Sequence, residues 1–204
     1  MKKKIKFKYP FYIILLSFIP ALLLISGLNI DKKENKSPNL KKEQIVDSYP
    51  VINEDNKIGM PYENDKVKIG KNFYDYKSES STQENSITVH DNTYYQNTGI
   101  DYICEEEFDV LSILDGTVIS VKEDENLGKI IEIKHDNELI SVYQSLSETT
   151  VKKDDIVTKG QIIGKSGKNE MDKDLGNHLH LEIYENGQAV NPEGYLGKEY
   201  EKKN

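Results

Sequence analysis

The fold is decided by a stretch that reads HLHLEIY, from His178 to Tyr184. A short run of this kind, rich in aliphatic residues, is typical of a β-strand. In a strand, residues two apart point to the same face, so His178 and His180 can line one surface. The stretch therefore predicts a strand that presents two imidazoles together.

Similar β-type runs, separated by turn signals, precede this strand. The Asp115-Gly116 pair between alternating apolar runs predicts one hairpin. Residues 135–138 predict a second hairpin, with His135 as a solvated turn residue. Long amphipathic helices are lacking between the runs, so we expect an all-β fold, an antiparallel open barrel or sandwich. The runs are Phe108–Leu114, Thr117–Val121, Lys129–Lys134, Leu139–Tyr143 and Gln161–Gly164.

Charge and cysteine content exclude several classes of function. The 204 residues carry 27 basic and 35 acidic side chains, a net charge of −8. An acidic chain repels phosphate backbones, which argues against nucleic acid as a partner. Cys104 is the single cysteine, so an intramolecular disulfide and a cysteine-based zinc site are excluded. We interpret Cys104 as a buried strand residue.

The N-terminal segment has the features of a membrane anchor. Residues 9–30 contain no charged side chain and are long enough to cross a hydrocarbon core. A cleaved signal peptide is the alternative, but the cleavage site after the apolar run is poor. The lysine-rich residues 1–8 form a basic tail that should stay in the cytoplasm. Everything after residue 30 is then expected outside the membrane.

The remaining chain divides by composition. Residues 31–66 are polar, with isolated apolar residues, and predict a flexible stalk, or alternatively an arm that orders on binding a partner. Residues 67–91 form a transitional segment of unassigned role. Residues 92–197 are predicted to form the β-rich domain, and residues 198–204 a charged tail. One core of usual size fits this length.

Asp101 joins the two histidines as a candidate metal ligand. It lies in Thr98-Gly99-Ile100-Asp101 and could approach the His178 and His180 surface from another strand. His, His and Asp are good zinc ligands, and hydrolytic zinc needs three protein ligands plus a water. The alternative for an isolated His-x-His is a hydrogen-bonded pair on a half-exposed strand.

The order of the motifs resembles that of the lysostaphin-like, LytM-type peptidoglycan endopeptidases. The similarity covers roughly residues 92–196. The motifs that carry it are Gly99-Ile100-Asp101, Asp115-Gly116-Thr117-Val118, Ile133-Lys134-His135-Asp136-Asn137, Tyr143-Gln144-Ser145-Leu146-Ser147, Lys159-Gly160-Gln161-Ile162-Ile163-Gly164, Gly176-Asn177-His178-Leu179-His180-Leu181-Glu182 and Asn186-Gly187-Gln188-Ala189-Val190-Asn191-Pro192.

This resemblance implies a zinc site from which two imidazoles have been lost. Asp101 and His180 match two of the family's three zinc ligands, and His178 matches one of its two catalytic histidines. Asn97 stands in place of the first ligand, and Ser145 in place of the other catalytic histidine. A neutral amide binds zinc poorly, and a hydroxyl cannot exchange protons near neutral pH as imidazole does.

We therefore expect weak or no zinc binding, no other cofactor and no turnover. His90, seven residues upstream of Asn97, is a poor replacement ligand because it lies beside a predicted turn.

Two stretches carry a closer similarity, to the stage II sporulation protein Q group of this family. They are Tyr95–Tyr102 and Tyr143–Leu146. The resemblance implies a single-pass protein of the forespore membrane, with its C-terminal domain in the space between forespore and mother cell. It also implies a partner there, the ectodomain of stage III sporulation protein AH of the mother-cell membrane. Members of the group help engulfment and build a channel-like complex.

Three functions follow from these observations. The first is a non-catalytic scaffold that binds a partner ectodomain, for which addition of a partner strand to an exposed sheet edge is a candidate mode. The second is an active zinc endopeptidase that cuts peptidoglycan cross-bridges. The third is a module that binds peptidoglycan through the former catalytic groove. The lost imidazoles favour the first.

Overall fold

The computed structural model describes residues 57–200. Strands dominate this part of the chain, with one short helix and two 3₁₀ turns. In order they are β1 (Lys68–Lys71), α1 (Ser80–Glu84), β2 (Ile87–His90), β3 (Thr93–Gln96), β4 (Ile100–Ile103), β5 (Asp109–Leu111), β6 (Gly116–Asp124), β7 (Gly128–Lys134), β8 (Leu139–Thr149), β9 (Ile156–Val157), β10 (Ile162–Ser166), a turn at Lys173–Leu175, β11 (His178–Glu185), β12 (Gln188–Val190) and a turn at Pro192–Gly194.

The main sheet is antiparallel throughout, as the sequence predicted. Its strand order is β1-β4-β11-β8-β7-β6-β9, with β12 added to β11 and β10 bridging β5 and β8. A separate two-stranded sheet is formed by β2 and β3. The all-β prediction is confirmed for the described residues.

Of the two hairpins predicted from the sequence, the structure contains the second and lacks the first. The second is present, because β7 and β8 pair directly with Lys134 opposite Ile140. The first is not, because β5 pairs with β10 and β6 pairs with β7 and β9. Residues 112–115 instead bond across to the loop before β10, where Ser112 N–H donates to the Gln161 carbonyl over 2.9 Å. Asp115-Gly116 is thus a connection between strands that do not pair.

Strand β11 shows how the sequence builds the core and the site together. Its odd-numbered residues Leu179, Leu181 and Ile183 are fully buried in the hydrophobic core. Its even-numbered residues face the other side, because side chains alternate along a strand. A single strand at the centre of the sheet therefore contributes both to the core and to the polar site.

The folded core reaches N-terminal of residue 92, where the sequence placed the start of the domain. Ile58 and Val67 are core residues, and β1 pairs with β4. Ile58 N–H also donates to the Lys198 carbonyl over 3.0 Å. These apolar residues are isolated in a polar stretch, so no periodicity marks them. Within the described part of the chain, the core runs from Ile58 to Tyr200, and residues 31–204 include all of it.

His135 is buried, so the prediction of a solvated turn residue is wrong. Its Nδ1 donates to the Asp115 carbonyl over 2.9 Å, and its Nε2 lies 2.7 Å from the Ser141 hydroxyl. Burial lowers the pKa of the imidazole. Gly116 makes room for the ring, because a Cβ there would lie 2.7 Å from His135 Nδ1.

The sequence also predicted the setting of Cys104 and a membrane anchor. Cys104 lies one residue beyond β4 and is half-buried, not a buried strand residue as interpreted. The predicted anchor at residues 9–30 lies outside the described residues. Between Lys57 and Tyr200, no helix combines the length and the apolar character needed to cross a bilayer.

We expect Gly99→Ala to destabilise the fold by about 3 kcal/mol, because a Cβ there would lie 2.2 Å from the Leu181 carbonyl oxygen of β11. Urea unfolding of residues 31–204, followed by circular dichroism, measures the loss. Gly194→Ala is the matched control, since a Cβ at Gly194 has no neighbour within 4 Å. It should change stability by less than about 0.5 kcal/mol. Equal effects of the two variants would contradict the close approach of β4 and β11.

Candidate functional site

The candidate site lies on two paired strands at the centre of the main sheet. Asp101 on β4 stands directly opposite His180 on β11, and His178 stands opposite Ile103. Asp101 and His178 are fully buried. The structure thus brings together the carboxylate and the two imidazoles singled out from the sequence.

Both carboxylate oxygens of Asp101 accept hydrogen bonds from the chain itself. Oδ1 lies 2.9 Å from His180 Nδ1, and Oδ2 accepts from Asn97 Nδ2 over 3.0 Å. Burial disfavours the charged form of Asp101, but the charge and hydrogen bond of His180 outweigh it and hold its pKa below the ordinary value. The buried carboxylate is therefore compensated by two N–H donors.

Asn97 is oriented by a second acceptor. Its Nδ2 also donates to the Asn72 carbonyl over 3.0 Å, and only the amide nitrogen can bond to both a carbonyl and a carboxylate. Its main chain is held as well, since Asn97 N–H donates to the Ser86 carbonyl and its carbonyl accepts from Tyr74 N–H. The amide at this position ties the segment before β4 to the site.

His180 lies between two carboxylates. Its Nε2 is 3.3 Å from Glu182 Oε1, on the side opposite Asp101. Burial opposes protonation of the ring, but the Asp101 and Glu182 carboxylates outweigh burial and raise the pKa of His180 to about 10. Glu182 is itself held in place, accepting from the Thr98 hydroxyl, from Gln144 Nε2 over 3.2 Å and from the Tyr184 hydroxyl over 3.1 Å.

His178 and Ser145 are incompletely paired. His178 Nδ1 donates to the Gly176 carbonyl over 2.9 Å, which leaves Nε2 as a buried acceptor without a partner. Burial lowers the pKa of this imidazole. Ser145 Oγ is likewise buried without a hydrogen-bond partner, and its backbone φ of +64° is uncommon outside glycine. These are the two positions that the resemblance assigns to a catalytic pair of histidines.

Three charged residues near the site were missed from the sequence. Lys71 on β1 forms an ion pair with Asp172, and its Nζ donates to the Thr88 hydroxyl over 2.7 Å. Its ion-pair partner Asp172 lies 101 positions further along the chain, so no local sequence pattern predicts the pair. Glu182 could have been found, because it lies two residues beyond His180 on the same strand and shares its face.

The residues present do not fit the family's zinc site. Among the side chains between Lys57 and Tyr200, no three His, Cys, Asp or Glu groups are placed to hold a metal ion. Hydrolytic zinc needs three protein ligands. At the position of the first ligand, Asn97 presents an N–H donor to Asp101, and a donor cannot coordinate a cation. His90 belongs to no such group among the described residues, and its Nε2 lies 3.5 Å from Asp91 Oδ2 in the hairpin turn.

Comparison with known proteins places the domain among peptidases and their relatives. Residues 95–192 match the model of peptidase family M23. Stage II sporulation protein Q of Bacillus subtilis (strain 168) is 37% identical over 171 residues, which are 82% of this chain and 60% of that protein. The match thus spans less than two thirds of the relative's length.

Two solved structures are similar over a larger share of their own chains. A chain in the structure of the SpoIIQ-SpoIIIAH pore forming complex is 38% identical, with a TM-score of 0.69 over 71% of this chain and 94% of that one. A chain in a crystal structure of the SpoIIIAH and SpoIIQ complex is 39% identical, with a TM-score of 0.66 over 68% of this chain and 99% of that one.

We expect Asp101 and His180 to be strongly coupled in stability. Asp101→Asn or His180→Gln alone should cost about 3–5 kcal/mol, because each leaves a buried partner uncompensated. The double variant should lose about 2 kcal/mol less than the sum of the two single losses. Urea unfolding of residues 31–204 measures all three.

The exposed pair between Lys165 and Asp109, 3.2 Å apart, provides the control. Asp109→Asn should change stability by less than about 1 kcal/mol. Losses at Asp101 and His180 that are small and strictly additive would show that the two side chains do not depend on each other.

Proposed function

Because the chain belongs to the stage II sporulation protein Q family, with a domain of the peptidase M23 type, we propose that it is a non-catalytic scaffold of sporulation. In this role it binds a partner ectodomain and cleaves nothing. The observation that carries the proposal is the closed hydrogen bonding of Asp101, whose two oxygens are taken by His180 and Asn97. A carboxylate satisfied in this way has no need of a metal ion.

The catalytic positions support the same proposal. Ser145 offers a hydroxyl where the family has an imidazole, and general acid–base help of that kind is worth about 10²- to 10⁴-fold in rate. With one zinc ligand replaced by Asn97 as well, the chain lacks both the metal site and the proton carrier. We propose weak or no zinc binding and no other cofactor.

The proposed partner is the ectodomain of stage III sporulation protein AH. The similar chains of known structure are found in complexes of SpoIIQ with SpoIIIAH, one of them described as pore forming. In our proposal, residues 9–30 anchor the chain in the forespore membrane and residues 1–8 lie in the forespore cytoplasm. The C-terminal domain then reaches the mother-cell partner across the intermembrane space, supporting engulfment and a channel-like complex.

We expect residues 31–204 to form a complex with the SpoIIIAH ectodomain that co-elutes on size exclusion and gives a binding isotherm by calorimetry. His178→Ala and His180→Ala, each checked for folding by circular dichroism, should keep the affinity within about threefold, because truncating a side chain outside the contact surface changes binding little. The absence of a complex with the unmodified chain would refute the scaffold proposal.

A peptidoglycan-release assay on the same samples separates the scaffold from an enzyme. No zinc-dependent release is expected from the unmodified chain. Release that requires zinc and disappears in His180→Ala would replace the scaffold proposal with that of an endopeptidase.

A further inference from the structure

We propose that the free edge of β3, Thr93–Gln96, is where the partner ectodomain docks, by adding one of its own β-strands. This inference rests on the proposed scaffold function and identifies the surface through which it acts. The partner strand is expected to carry β-branched or aromatic residues, which pair well with the tyrosines of β3, and to be flanked by basic residues.

Strand β3 is exposed along its whole length. It reads Thr-Tyr-Tyr-Gln, carries no charge, and all four residues are exposed. Tyr94 is 76% exposed and Tyr95 42%. Val89 of β2, which lies directly opposite Tyr94, is 59% exposed, so an apolar pair faces solvent. Exposed tyrosines on an uncharged strand are typical of contact surfaces.

The hairpin geometry shows which backbone groups are available. The two-residue turn Asp91-Asn92 has positive φ at both positions, 49° and 59°, as a type I′ turn requires. The flanking residues His90 and Thr93 then form a hydrogen-bonded pair, and Val89 and Tyr94 a non-hydrogen-bonded one. The N–H and C=O groups of Tyr94 and Gln96 therefore point away from β2, toward the open side of β3.

The two ends of the main sheet are protected in ways that β3 is not. At one end of the main sheet, β1 carries Lys68 and Lys71 and is interrupted by a bulge after Ile69. At the other end, β9 has only two residues, and the part of β6 beyond it ends in Lys122-Glu123-Asp124. Charges, bulges and short strands are the usual means of blocking edge-to-edge pairing. Strand β3 has neither a charge nor a bulge.

Strand β2, the other edge of the hairpin, is held by the domain. Thr88 is buried, and its hydroxyl donates to Asp172 over 2.9 Å while accepting from Lys71. The Ser86 carbonyl just before β2 accepts from Asn97 N–H. This side of the hairpin is thus attached to the site, which leaves β3 as the edge that a partner can reach.

The negative charge of this chain favours a partner strand that is flanked by basic residues. Asp91 at the tip of the hairpin has a side chain that is 91% exposed, and the whole chain has a net charge of −8. Two copies of this chain would repel each other, as would an anionic lipid surface. A lipid surface also cannot pair with alternating N–H and C=O groups, whereas a strand can.

The test compares proline substitutions on the two edges in the full chain, purified in detergent, with the SpoIIIAH ectodomain as the probe. Tyr94→Pro removes an outward N–H from β3 and breaks no bond within the hairpin. It should weaken binding about tenfold or more, as loss of a buried tyrosine contact does. Val89→Pro removes the equivalent outward N–H from β2 and should stay within about threefold.

A second variant and hydrogen exchange show whether a loss of binding comes from the β3 edge or from misfolding. Tyr94→Lys keeps the N–H but places a cation on the edge, and it should also weaken binding about tenfold. Hydrogen exchange should show slowed exchange of the Tyr94 and Gln96 amides in the complex, with the Val89 amide unchanged. Circular dichroism of each free variant should match the unmodified chain.

The outcomes separate this inference from the proposed function. If the unmodified chain does not bind the ectodomain, the scaffold proposal itself fails. If it binds and both Tyr94 variants bind equally well, or if Val89→Pro is the damaging change, docking at β3 is wrong and the scaffold proposal stands. Self-association of the chain alone that Tyr94→Pro abolishes would instead assign this edge to a second copy.

Discussion

The arrangement of the site depends on one constraint, which is that a wholly buried carboxylate must be compensated. Asp101 lies on β4, between β1 and β11, with no exposure to solvent. An uncompensated buried charge costs several kcal/mol, so its neighbours must supply donors or a cation. The resemblance to LytM-type endopeptidases implies that a metal ion does so in the active enzymes. Here His180 and Asn97 do so, each through an N–H group directed at one carboxylate oxygen.

Much of the surrounding structure follows from that compensation. His180 sits between Asp101 and Glu182, and Glu182 in turn is held by Thr98, Gln144 and Tyr184. Asn97 connects the site to Asn72, and Lys71 connects β1 to Asp172 and to Thr88 of the hairpin. These contacts form a polar network that joins the N-terminal segment to the main sheet. The hairpin that carries the proposed docking edge is attached to the domain through Thr88, which bonds to Lys71 and Asp172.

The parts of the fold that were predictable have local signals. The His178–Tyr184 strand, the β7–β8 hairpin and the antiparallel all-β class follow from short apolar runs and turn residues that lie close in sequence. The errors arise where distant segments decide. Asp115-Gly116 does not close a hairpin because residues 112–115 bond to the loop before β10, and His135 is buried because Gly116 leaves room for its ring. Ile58 and the Lys71–Asp172 pair carry no periodicity, since their partners lie far along the chain.

Zinc binding by the unmodified chain tests the central claim most directly. We propose that protein donors satisfy Asp101 and that the two remaining ligands cannot retain the metal. Calorimetric titration of residues 31–204 with zinc, together with metal analysis of the purified chain, should show no stoichiometric ion, and Asn97→His should increase binding by restoring the third ligand. A tightly held zinc ion in one-to-one ratio in the unmodified chain would contradict the account.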